Sequence, residues 1–205
     1  MPRHLINLIC GSTGAGKTNY AIELTQRLGA IRISIDEWMT ALFLIDRQQP
    51  IDPAWAMERI SRCQDQIWST ALQAARQGIP CVLDLGFTQK SQRSKFVALA
   101  SDAGLLLQLH FLDVPATERW RRVEQRNATK SATYQLTFNV TREMFDYVEG
   151  MWEPPADEDN DRMKRFTHFI LVPFPLQFHG RGFETRLAQP FNRSTNRARA
   201  AGIGW

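Results

Sequence analysis

Gly11-Ser12-Thr13-Gly14-Ala15-Gly16-Lys17-Thr18 follows the apolar run of residues 5–10 and leads into Asn19-Tyr20-Ala21-Ile22-Glu23-Leu24. The stretch fits G-x-x-x-x-G-K-[ST] at every position. A strand that delivers a glycine-rich turn to a helix start leaves unpaired backbone N–H groups converging on one spot, where the helix dipole also favours negative charge. Gly11, Gly14 and Gly16 let the backbone turn tightly and approach an anion closely. Lys17 is then expected to reach the β- and γ-phosphates of a nucleotide, with Ser12, Thr13 and Ala15 supplying backbone N–H groups and the Thr18 hydroxyl holding Mg²⁺. An ordinary glycine turn would not need the Lys-Thr pair.

Around this loop the chain alternates strand and helix patterns to about residue 172, which predicts one α/β domain with a mostly parallel sheet. After the loop, a helix to about Leu28 is expected to bury Ala21, Leu24 and Leu28 and to stop at Gly29. Residues 30–35 form the second predicted strand, followed at once by Asp36, and residues 37–44 a short apolar helix. Asp52-Pro53 supplies the N-cap residue and first-turn proline of a long helix ending at Gly78, with Ile60, Ile67 and Ala71 on its buried face. The third strand, Cys81-Val82-Leu83-Asp84, ends in a second carboxylate. A helix over 91–103, a strand over 105–112 and a helix over 116–126 come next. Residues 127–140 lack a period and read as a mobile loop; a helix over 141–151 and a strand over 165–172 close the domain.

The composition, 205 residues with 43% hydrophobic and 22% charged, is that of an ordinary globular domain. No apolar run approaches a membrane span and the N-terminus lacks a signal-peptide pattern, so a cytoplasmic protein is expected. Cys10, Cys63 and Cys81 have no metal-type spacing, and His4, His110, His168 and His179 are scattered, so buried free thiols are expected. The net charge of +4 is carried by the last thirty residues, where Arg181, Arg186, Arg193, Arg197 and Arg199 face Glu184 alone. The body is balanced, which disfavours nucleic acid as its main partner. Residues 1–175 are therefore read as the domain and 176–205 as a basic tail with the composition of a disordered segment.

A phosphate loop alone does not separate kinases from switches, so the other charged residues at the sheet's carboxyl edge must decide. Asp36 and Asp84 could serve as base and magnesium ligand, the two tasks phosphoryl transfer requires; the alternative for each is a helix N-cap. Arg119, Arg122 and Arg126, spaced by three and four, share one helix face and could clamp a transferring phosphoryl group; the alternative is a solvated face, with Glu118 placed to pair with Arg122. Arg93, after the third strand, is the cation expected nearest the substrate.

Taken together, Gly11 to Thr18, Ser34-Ile35-Asp36, Leu83-Asp84 with Arg93 downstream, and the Arg119 to Arg126 helix resemble the small P-loop kinases. That AAA-type ATP-binding group includes zeta toxin, chloramphenicol phosphotransferase and the kinase domain of polynucleotide kinase. The resemblance covers residues 5–172. It implies the three-layer P-loop NTPase fold, a five-stranded parallel sheet in the order 2-3-1-4-5, ATP and Mg²⁺, Asp36 as general base, and Arg122 and Arg126, with Arg119, as phosphate-neutralising arginines. Pro173-Phe174-Pro175 and a polar tail stand where that group has a final helix. The acceptor expected is a hydroxyl on a small molecule or nucleotide. The competing readings are a nucleotide-binding switch or regulatory ATPase, in which Asp36 is only a cap, and a polynucleotide 5′-kinase.

Overall fold

The computed structural model describes residues 5–43, 52–129, 139–156 and 163–167. All of them fall within one compact unit, Met1–Leu171. The expected tail over 176–205 and the end of the last predicted strand lie outside the described residues.

Five strands, β1 (Ile6–Cys10), β2 (Ile31–Ser34), β3 (Cys81–Asp84), β4 (Leu107–Leu112) and β5 (Met163–Phe166), form a sheet in the order β2-β3-β1-β4-β5. Every pairing is parallel, and β1 is central, with Ile6 opposite both Cys81 and Leu107. Six helices connect or follow the strands: α1 (Lys17–Leu28), α2 (Ile35–Leu42), α3 (Pro53–Arg76), α4 (Lys90–Asp102), α5 (Ala116–Thr129) and α6 (Arg142–Gly150).

Because successive strand side chains face opposite sides, β1 feeds two cores. Ile6, Leu8 and Cys10 pack with Cys63, Ile67 and Ala71 of α3 and Phe96 and Ala100 of α4. Ile9 packs on the other face with Tyr20, Ala21 and Leu24 of α1. Helices thus cover both faces of the sheet. The α1 face also buries a polar chain: Tyr20 Oη lies 2.7 Å from His110 Nδ1, His110 Nε2 lies 3.1 Å from Asn7 Oδ1, and Asn7 Nδ2 donates to the Cys81 carbonyl. Since the Asn7 amide nitrogen is spent on Cys81, its oxygen takes a proton from Nε2, and Nδ1 accepts from the tyrosine. Burial pushes the Tyr20 pKa up to about 12, which keeps it a donor.

Several boundaries differ from expectation for local reasons. Leu28 is exposed, and Tyr20 takes its expected place on the buried face of α1. Helix α2 starts at Ile35 with no linker after β2, so Asp36 lies in the first helical turn, and Ser34 is the N-cap. Asp52 caps α3 as expected, accepting from the Ala54 amide. Helix α4 starts at Lys90, one residue before the predicted start, under a capping box formed by Gln89 and Gln92. Helix α5 runs to Thr129, into the predicted loop, whose residues 130–138 lie outside the described ones. Asn127 exchanges two hydrogen bonds with the backbone of Val140, joining the helix to the segment before α6.

Candidate active site

The glycine-rich loop leaves β1 and enters α1 through Gly16, whose φ of 90° is one that L side chains rarely adopt. No side chain caps the helix there, so its first N–H groups remain directed at the loop's concavity. Gly14 has a φ of 81°, and a Cβ on it would stand 2.4 Å from the Arg119 carbonyl oxygen of α5. Only glycine lets the loop and α5 meet this closely. Lys17 Nζ donates to the carbonyls of Gly11 at 2.8 Å and Ser12 at 3.2 Å. Burial lowers the pKa of this ammonium, which the charges of Asp84 and Asp36 partly offset.

The loop forms one wall of a cleft of about 520 Å³ that brings together Thr13, Gly14, Gly16, Lys17, Thr18, Asp36, Asp84, Arg122 and Arg126. Ser34, Glu37, Thr40, Gly86 and Thr88 also line it. Neither carboxylate is a helix cap: Ser34 precedes α2, and Gln89 caps the helix after β3. Asp84 is buried at the end of β3, accepts from the Thr18 hydroxyl and lies 3.4 Å from Arg32 Nη1. Burial raises its pKa against the pull of Lys17 and Arg32. Asp36 opens onto the cleft, but the surrounding walls still desolvate it, and this crowding, followed by the charge of Asp84, raises its pKa as well.

Two desolvated carboxylates beside a threonine hydroxyl fit a hard, oxygen-seeking dication that keeps much of its water and takes phosphate oxygens. Thr18 and Asp84 are the residues that would hold Mg²⁺. No group of three or more His, Cys, Asp or Glu suited to a metal occurs among the described residues, so a dication here would draw its other ligands from nucleotide and solvent.

The three arginines expected on one face divide into two kinds. Arg122 and Arg126 line the cleft. Arg122 Nε donates to Glu118 at 2.8 Å, and Arg121 also pairs with Glu118, the two arginines holding that carboxyl down at about 2. Arg126 is half-buried with Nη2 lacking a hydrogen-bond partner among the described residues, and burial lowers its pKa. Arg119, by contrast, is 4% exposed and lies outside the cleft lining. It donates to the Val114 and Thr13 carbonyls and makes a bidentate pair with Glu149, both bonds 2.7 Å. The expectation that Arg119 meets the phosphoryl group directly is corrected on this ground. Arg93, expected near the substrate, is 2% exposed and outside the lining of this cleft, with Nη1 on the Phe87 carbonyl, Nε and Nη2 without a hydrogen-bond partner among the described residues, and its side chain near Trp152.

Glu149 was not foreseen. Its only sequence signal is its place four residues after the buried Phe145, hence on the inward face of α6. It also accepts from the Ser12 hydroxyl at 3.0 Å, so it touches the phosphate loop from α6.

Comparison with known proteins agrees with this architecture. No curated protein matches the chain. Among solved structures, a candidate kinase from Chloroflexus aurantiacus superposes with a TM-score of 0.61 at 14% identity, covering 80% of this chain and 89% of that one. Chaetomium thermophilum Kti12 bound to ADP-AlF3 gives 0.58 at 14% identity, with 79% and 88% covered. The Mycobacterium tuberculosis APS kinase bound to AMPPNP and APS gives 0.54 at 19%, with 82% and 90% covered. At these identities the likeness is one of fold. A family model described as an AAA domain matches residues 6–151. The chain therefore belongs to the AAA domain family and has the fold of the small P-loop kinases.

Proposed function

We propose that the protein is an ATP- and Mg²⁺-dependent kinase that transfers the γ-phosphoryl group to a hydroxyl of a small molecule or nucleotide. The observation that carries this reading is Asp36: it shares one cleft with Lys17 and Thr18, opens to that cleft, and does not serve as a helix cap. The kinases among the structural neighbours, including the APS kinase, support the same class.

In this reading the loop N–H groups and Lys17 hold the β- and γ-phosphates, and Arg122 and Arg126 neutralise charge as it redistributes over the transferring group. Thr18 and Asp84 would hold Mg²⁺, which would supply charge neutralisation for the phosphates. The acceptor hydroxyl lies in the same cleft; its oxygen bonds to the γ-phosphorus, its proton passes to Asp36, and the bond to the β-phosphate bridging oxygen breaks to release ADP. Residues 1–175 suffice for this chemistry, and 176–205 are an appended tail.

The test is Asp36→Asn, which keeps the size but removes the basic oxygen. With labelled ATP and a cell metabolite extract, the wild type is expected to label a new product. The variant should still bind MgATP but transfer about two to four orders of magnitude more slowly. Full transfer by the variant would remove Asp36 from the chemistry. ATP hydrolysis without any labelled acceptor, unaffected by the change, would instead favour a regulatory ATPase.

A further inference from the structure

Four carbonyls of the phosphate-binding loop accept from the loop itself or from arginines of α5. Lys17 takes those of Gly11 and Ser12, the Ala15 amide also takes that of Ser12 at 3.2 Å, Arg119 Nη1 takes that of Thr13 at 3.3 Å, and Arg122 Nη1 lies 3.4 Å from that of Ala15. In a trans peptide the C=O and the following N–H point in opposite directions. Whatever fixes the Thr13 carbonyl therefore fixes the Gly14 N–H on the other side of the same plane. The Arg119 guanidinium is itself immobilised by Nε on Val114, by the two-point pair with Glu149, and by packing 5.4 Å from the Phe145 ring.

We infer that Arg119, held by Glu149, is a positioning residue for the phosphate-binding loop, turning the Thr13–Gly14 peptide so that the Gly14 N–H faces the nucleotide's phosphates. Two further contacts run the same way. The Gly14 backbone rests against the Arg119 carbonyl so closely that no Cβ fits between them, and the Ser12 hydroxyl is anchored to the same Glu149 carboxylate. One carboxylate on α6 thus serves both the loop directly and the arginine that orients it. The hydrogen bond from Arg119, aided by that from Ser12, lowers the pKa of Glu149, so the carboxylate is charged throughout the neutral range. A buried guanidinium needs such a partner, because without it the desolvation cost is uncompensated.

Arg119 thus acts through the backbone and not on the reacting atoms. The inference rests on the nucleotide-binding part of the reading above, but not on transfer to an acceptor. Two variants test it. Glu149→Gln keeps the shape and one acceptor but loses the charge; Arg119→Lys keeps the charge but cannot make the two-point pair. Amide proton–nitrogen spectra of the full chain are recorded with and without MgADP, alongside calorimetric MgATP titrations and melting curves.

In the wild type, MgADP should shift the Gly14 and Gly16 amides downfield. In both variants the Gly14 shift should shrink while that of Gly16 persists, and MgATP affinity should fall about tenfold, the worth of one charge-assisted bond. A general weakening of the structure would dim every loop amide together with the melting temperature, and that outcome overturns the inference. So does a Gly14 shift unchanged in both variants. A wild type that binds no nucleotide would overturn the reading beneath it, and a wild type that binds normally but labels no acceptor would overturn only the kinase assignment.

Discussion

Asp84 is a buried carboxylate whose burial outweighs the pull of Lys17, Arg32 and the Thr18 hydroxyl. Its pKa is raised from 3.8 chiefly by burial, so the folded protein holds this proton more tightly than the unfolded chain does. Stability conferred by the protonated form is complete below 3.8 and is lost as pH rises through the raised value. Asp84→Asn has no such loss. Melting temperatures measured in a chelator should therefore coincide for wild type and variant at the acid end, then separate in the variant's favour as pH rises through the raised value. A variant less stable than the wild type at pH 7 would show that the pairing with Lys17 and Arg32 outweighs the cost of burial. The stability thus relinquished at neutral pH is the usual sign of a group kept for binding.

At the scale of elements, the junction between the loop and α5 leaves no room for a side chain at Gly14. Gly14→Ala would place a methyl carbon where the Arg119 carbonyl already stands, at a φ of 81° that alanine avoids. The expected cost is about 1–3 kcal/mol of stability, read from denaturant unfolding, together with weakened MgATP binding. Gly29→Ala, with nothing near its added Cβ, carries only the positive-φ strain and leaves nucleotide affinity unchanged. The loop, its strand and its helix were legible in the sequence because each rests on near neighbours: glycines at fixed offsets, a Lys-Thr pair and a short apolar run. The strand ends carrying Asp36 and Asp84 were legible for the same reason, although Ile35, β-branched, read as strand where it opens α2. Arg119 was not legible in its role. Helical spacing put it beside Arg122 and Arg126, but its fate depends on Glu149, thirty residues further on. Arg93 likewise read as a cation near the substrate, because nothing local announces that it will be buried with Trp152 near it.

For the whole molecule, the described residues of the two sheet cores and the cleft lie between Leu5 and Thr167. A chain ending at Pro175 should keep its melting temperature within a few degrees and its MgATP affinity unchanged by calorimetry. A large fall in either would show that 176–205 complete the fold or the nucleotide site.

The pair α5 and α6 has a small core of its own: Val123, Val140 and Phe145, with Trp120 packed 5.3 Å from the Phe145 ring, separate from both sheet cores. A unit with so little apolar surface opens at lower free energy than the sheet it adjoins. Amide hydrogen exchange should resolve two populations, with slow amides in β1, β3 and β4 and faster ones in α5 and α6. Because Arg119 and Glu149 link this unit to the loop, bound nucleotide should slow the faster population, and the occupancy of the cleft would then be readable from backbone amides that never touch the ligand.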